Sequence, residues 1–177
     1  VLRMRKTVFF DRDGVLNVER NYLYKIEEFQ WQTDAVAAIK LLQAQDYRII
    51  VVTNQSGVAR GYYNEADVSK LHNYMQAQLA LQQTRIDAFY YCPHLPDASR
   101  AEYAQECDCR KPGPGMILKA MQEHEVLKEQ SFLIGDKESD LQAAQAAGIR
   151  GYLYQQGSLL EFVKNVLAKE ADLGNGI

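Results

Sequence analysis

No run of Lys and Arg occurs in this chain, no apolar stretch approaches the roughly 20 residues that cross a bilayer, and no segment repeats or degenerates into low complexity. A nucleic-acid surface and a membrane span are therefore not expected. The formal net charge of −3 leaves room only for a local basic pocket suited to a small anion. Residues 2–6 are basic, but the apolar run behind them stops at Asp11 after three residues, too short for the core of a secretory leader. A cytoplasmic location is the expectation. Cysteine is scarce too: the three present all fall between 92 and 109, which argues against a disulfide framework. What remains, 177 residues of which 47% are hydrophobic and 24% charged, is the composition of one domain spanning 1–177 with a real core.

Short β-rich runs alternate with amphipathic helical patterns. The runs are 7–10, 48–53, 86–91, 131–134 and 152–154. Helices are expected over 35–44, over 65–81 behind an Asn64 N-cap, over 115–125 behind Pro114, and over 140–147 ending at Gly148. Ser158 and Glu161 form a capping box for a last helix through Ala168, after which 172–177 reads as a frayed tail. This alternation predicts an α/β fold built on a doubly wound parallel sheet with helices on both faces. About forty residues separate Asp11 from the second run, and one helix plus the irregular loop 15–32 use them up. No inserted cap domain fits, so an open mouth is expected.

Each run ends in polar groups. Val8–Phe10 stops abruptly at Asp11 and Asp13, two carboxylates spaced i, i+2 that repel unless a cation sits between them, and hard oxygen ligands suit Mg²⁺. A plain polar turn is the alternative. The second run ends in Thr53, Asn54, Gln55 and Ser56, whose hydroxyl, amide and N–H donors make either a neutral phosphate cradle or an ordinary turn. Arg110 and Lys111 precede the third helix, near an N-terminus where anions bind, or form a solvated charge pair. The fourth run ends in Asp136, Lys137 and Asp140, of which Asp140 could equally be an N-cap.

Cys92-Pro-His94 and Cys107-Asp-Cys109 supply three thiolates and an imidazole, a closed Cys₃His set for Zn²⁺. With no open coordination position the metal would be structural, pinning the loop beside Arg110 and Lys111. Free buried thiols are the alternative. His72 and His124 read as surface residues of helices.

Taken together, Asp11-Arg-Asp13-Gly, Thr53-Asn-Gln-Ser56, Lys111-Pro, and Gly135-Asp136 with Asp140 resemble the haloacid dehalogenase-like phosphatases, over 8–148 of the chain. The resemblance implies a Rossmann-like fold without a cap, Asp11 as nucleophile, and Asp13 as general acid/base. Thr53 and Lys111 would stabilise the phosphoryl group, and Mg²⁺ would be held by Asp11, Asp136 and the backbone carbonyl of Asp13. The Cys-x-His and Cys-x-Cys-Arg-Lys-Pro segment narrows the resemblance to the heptose 1,7-bisphosphate 7-phosphatases of nucleotide-heptose (lipopolysaccharide precursor) biosynthesis. It is similar also to the histidinol-phosphate phosphatases. By that resemblance Glu19, Arg20, Asn21 and Tyr22 contact the sugar and Arg110 recognises it, with Asn54, Gln55, Ser56 and Lys137 as further substrate contacts. The chain departs from the pattern at Gly113, where a larger residue is expected between the prolines. The implied protein is a monomer acting on a phosphorylated sugar; a binding protein with a zinc loop and no turnover is the rival class.

Overall fold

The computed structural model describes residues 4–175, and across them strands and helices alternate without exception. The elements are β1 (Thr7–Phe10), α1 (Ala35–Ala44), β2 (Arg48–Asn54), α2 (Glu65–Leu81), β3 (Ala88–Cys92), α3 (Gly115–His124), β4 (Phe132–Gly135), α4 (Glu138–Ala147), β5 (Arg150–Leu153) and α5 (Leu159–Asn175). All five strands are parallel, in the order β3-β2-β1-β4-β5. The chain therefore winds outward from β1 through β2 to β3, then crosses back to β4 on the other side. That places the topological switch between β1 and β4, where open parallel sheets bind ligands at the strands' carboxyl ends.

Alternation along the strands separates two core layers. Val8, Phe10, Ile49, Val51 and Ile134 face one way, against α1, α2 and α5, while Phe9, Ile50, Val52 and Leu133 face α3 and α4. β1 is buried at all four positions, as expected for a central strand covered on both faces. Local signals fix the helix starts: Asn64 accepts from the Asp67 N–H while Asp67 accepts from the Asn64 N–H, a reciprocal capping box on α2. Gly148 closes α4 at φ +83.

Two terminal expectations are corrected. α5 does not stop at Ala168 or fray from 172, because its later turns are anchored: Glu170 pairs with Arg150 at 2.5 Å and accepts from the Tyr152 hydroxyl at 2.5 Å, both on β5. Only Gly176 and Ile177 of the expected tail lie outside the described residues. β5 begins at Arg150, two residues before the apolar run, since Arg150 and Gly151 pair with Phe132 and Leu133. Loop 15–32 is irregular but tied: Val18 N donates to Gln30 O at 2.9 Å and Gln32 N to Leu16 O at 2.8 Å. No inserted domain covers the sheet's carboxyl edge among the described residues.

Candidate active site

The carboxyl ends of β1, β2 and β4 and the segment before α3 converge on a cleft of about 620 Å³. It gathers Asp11, Asp13, Thr53, Asn54, Gln55, Ser56, Arg110, Lys111, Asp136 and Lys137, with Glu19, Asn21 and Tyr22 on its rim. Of the residues singled out in the sequence around this cleft, Arg20 alone points elsewhere, bonding Gln30 at 2.6 Å. Arg60, Tyr63, Ser139 and Asp140 also line the cleft, with no local motif in the sequence to mark the first three as part of it.

Lys111 is the hub. Its buried ammonium donates to Asp11 Oδ1 at 2.9 Å, Asp140 Oδ1 at 2.5 Å and the Val52 carbonyl at 3.0 Å. Its backbone is clamped to the end of β2: Lys111 N donates to Asn54 Oδ1 at 3.0 Å, and Asn54 Nδ2 donates back to Lys111 O at 3.2 Å. Burial works against the ammonium, but Asp11 and Asp140 outweigh it and raise the Lys111 pKa above its ordinary value. Asp140 is an inner residue rather than an N-cap: its Oδ2 accepts from the backbone N–H groups of Asp136 and Lys137 at 3.2 and 3.1 Å.

Asp11 and Asp13 occupy opposite electrostatic settings. Burial pushes the Asp11 pKa well above the ordinary value; Lys111 opposes this, while Asp140 and Asp136 add to it. At Asp13 burial acts in the same sense but is overcome by the Arg12 guanidinium and by hydrogen bonds from Asn17 and Gln55, so its pKa falls below the ordinary value. The bonds are Arg12 Nη2 to both oxygens at 3.0 and 3.1 Å, Asn17 Nδ2 at 3.0 Å, and Gln55 Nε2 at 3.1 Å. Gln55 also donates to Thr53 Oγ1 at 2.9 Å and accepts from the Tyr63 hydroxyl at 2.5 Å, so its amide is spent on ordering the site.

The carboxylates of Asp11, Asp136 and Asp140 lie within 4.8 Å of one another. Three carboxylates facing one ammonium in a buried pocket call for a further cation or a proton. Asp136 Oδ1 is buried with no hydrogen-bond partner, and burial leads the causes that raise its pKa. Because both Asp140 oxygens are already engaged, Asp11 and Asp136 are the free oxygen donors, a set that fits Mg²⁺. Gly14 makes this approach feasible. It sits at φ +86, and a Cβ there would lie 2.1 Å from Asp136 Oδ2.

In the loop between β3 and α3 the four metal-type groups come together. The sulfurs of Cys92 and Cys107 are 3.4 Å apart and those of Cys107 and Cys109 3.0 Å, with His94 Nδ1 3.5 Å from Cys109 Sγ. His94 Nε2 lies 2.7 Å from the Gln105 side-chain amide, while Nδ1 faces the sulfurs. Burial pushes Cys92 up to about 11, whereas hydrogen bonds from Cys109 and Cys92 outweigh burial at Cys107 and bring it to about 7. The donor set and its convergence fit a tetrahedral Zn²⁺. Gly113 is explained here as well, since a Cβ would lie 2.5 Å from Asp108 O and 2.9 Å from Arg110 O. The expectation of surface histidines fails for His72, which is buried, stacked on Phe89 and within 3.1 Å of Arg12 Nη1. His124, half-buried, ends α3.

A parallel sheet of this order, with an aspartate ending its central strand and a lysine from before α3 locked onto it, defines a hydrolase of the haloacid dehalogenase class. Residues 108–166 match the family model described as HAD-hydrolase-like. The chain is 42% identical, over 83% of its length and 79% of the relative's, to the D-glycero-beta-D-manno-heptose-1,7-bisphosphate 7-phosphatase of Pasteurella multocida. It is 44% identical, over 92% and 91%, to the enzyme of that name from Rhodopseudomonas palustris. The crystal structure of D,D-heptose 1,7-bisphosphate phosphatase from B. bronchiseptica complexed with magnesium and phosphate superposes with a TM-score of 0.81 at 30% identity, covering 93% of this chain and 99% of that one. This chain belongs to the haloacid dehalogenase-like family of heptose-1,7-bisphosphate 7-phosphatases.

Proposed function

We propose that the chain removes the 7-phosphate of D-glycero-D-manno-heptose 1,7-bisphosphate, through a phosphorylated Asp11. The observation that carries this is the buried Lys111 ammonium fixed between Asp11 and Asp140 in a cleft also lined by the cations Arg60, Arg110 and Lys137. Both hydrogen bonds to the Asp11 carboxylate fall on Oδ1, so Oδ2 has no donor from the protein; one Asp11 oxygen would attack phosphorus while the other would stay with the cation. In the first step the Asp11–phosphorus bond forms as the phosphorus–O7 bond breaks, and the leaving alkoxide takes a proton from Asp13. A phosphate dianion in the cleft opposes the Asp13 charge and favours the protonated carboxyl that this step uses. Water then attacks the acyl phosphate and returns its proton to Asp13.

Mg²⁺, held by Asp11, Asp136 and the Asp13 carbonyl, would supply charge neutralisation for the nucleophile and phosphoryl oxygens. Thr53, 1% exposed and bonded to the same Gln55 amide as Asp13, and Lys111 would contact the transferring group. Zn²⁺ at Cys92, His94, Cys107 and Cys109 would be structural.

Arg110 favours the bisphosphate over histidinol phosphate. Its Nη1 is buried with no hydrogen-bond partner, a donor suited to a second anion and unsuited to a cationic amine. Phosphate release in Mg²⁺ is expected to be faster from the heptose bisphosphate than from histidinol phosphate, and lost for both in Asp11→Asn. A preference for histidinol phosphate, or an active Asp11→Asn protein, would refute the proposal.

A further inference from the structure

Arg12 heads the fully buried side chains by size, at 0% exposure. Among the described residues its only carboxylate within ion-pair reach is Asp13. A buried guanidinium needs acceptors on every side, and Arg12 finds them: Asp13 on the cleft side, the Leu23 carbonyl at 3.2 Å, and on the far side His72 Nε2 at 3.1 Å. His72 is rigid in turn. It lies on the buried face of α2 with Val68 and Met75, and its ring stacks on Phe89 at a centroid distance of 4.2 Å and 16° between planes. Burial, then the Arg12 charge, push its pKa down to about 3, so the ring is neutral. Arg12 has donors alone; hence Nε2 is the acceptor and the proton sits on Nδ1.

We propose that His72 is a positioning residue for the general acid: its Nε2 lone pair fixes the Arg12 guanidinium, and Arg12 holds the Asp13 carboxyl where the leaving oxygen is protonated. This rests on the acid/base reading of Asp13. Two neutral acceptors, His72 Nε2 and the Leu23 carbonyl, hold the buried cation independently of Asp13. Without His72, Arg12 has only the Asp13 oxygens and one carbonyl left, and it follows Asp13 instead of fixing it.

The test compares kcat for the heptose bisphosphate, whose alkoxide leaving group needs the acid, with kcat for an aryl phosphate, whose leaving group needs it less. The ratio of the two is independent of the fraction of protein that folds. In His72→Phe, which keeps the stacked ring and loses the acceptor, the ratio is expected to fall about tenfold, a part of the 10²–10⁴ that general acid catalysis supplies, with each KM within about twofold of wild type. His72→Gln, which returns an acceptor at similar reach, is expected to restore most of the ratio. An unchanged ratio in His72→Phe, or no restoration by His72→Gln, overturns the inference, because His72 would then only fill space. Wild-type protein that releases no phosphate from either substrate overturns the phosphatase reading itself, a distinct result.

Discussion

Asp11 and Asp13 are two residues apart, yet one faces Lys111 and two carboxylates and the other faces Arg12, Asn17 and Gln55. Their pKa values are pushed in opposite directions, Asp11 up and Asp13 down, the reverse of what an ionised nucleophile and a protonated acid need, so the proposed roles call for a cation beside Asp11 and a phosphate dianion beside Asp13. The spacing of the pair was legible in the sequence because an apolar strand ending in two acids is a local pattern. The partners were not, since Arg12, His72 and Gln55 meet only after β1, β2 and α2 pack, and a buried arginine looks like any loop arginine. Gly113 was legible as unusual and explained only by the Asp108 and Arg110 carbonyls that leave no room for a Cβ. Arg110 supplies a direct test at this scale. Arg110→Ala is expected to raise KM for the bisphosphate on the order of tenfold, from loss of a charged contact worth about 1.5 to 3 kcal/mol, and to change an aryl phosphate much less. Equal losses on both substrates in steady-state kinetics would remove Arg110 from recognition of the second anion.

α1 and α2 run over the ranges that periodicity predicts, because the apolar spacing, and for α2 the Asn64 cap, are read within a few residues. β5 and the end of α5 were less legible: the strand starts on Arg150 and Gly151, and the helix is prolonged by the distant Arg150–Glu170 and Tyr152–Glu170 contacts. The loop between β3 and α3 links two walls of the cleft. At one end Cys109 leads into Arg110 and Lys111. Along its course Arg100 N donates to Ala59 O at 3.2 Å, Ser99 Oγ to Arg60 O at 3.2 Å, and Tyr103 OH to Glu65 Oε2 at 2.8 Å, while Tyr91 OH takes the other Glu65 oxygen at 2.7 Å. Losing the metal tie is therefore expected to disturb both the lysine and the Arg60 side. Cys107→Ala should lower the melting temperature by several degrees, at about 2 to 4 °C per kcal/mol for a chain this long, with activity not restored by added Mg²⁺. Calorimetry and metal analysis check this; full activity in a zinc-free variant of unchanged melting temperature would show that the loop holds itself.

Across the whole molecule, the order β3-β2-β1-β4-β5 brings residues from 11 to 140 to a single edge, so three strand-end clusters and the segment before α3, far apart in the chain, become one site. That convergence was legible as a class, from the repeated strand-then-polar-cluster pattern, whereas the way Asp140 turns inward onto Lys111 depends on packing of α4 against the sheet. With no inserted domain over the cleft among the described residues, the proposed selectivity would fall to the lining groups Arg60, Arg110, Lys137 and Tyr22, the last held at φ +67 and edge-on to Tyr62 at 4.9 Å. On the proposed function one phosphate would sit at Lys111 and the other among these cations, with the 7-phosphate as the one at Lys111. Phosphorus NMR of the heptose 1,7-bisphosphate during turnover reads this directly. The 7-phosphate resonance is expected to decay with matching growth of inorganic phosphate while the 1-phosphate resonance persists; loss of the 1-phosphate first, or of both together, would contradict the proposed function.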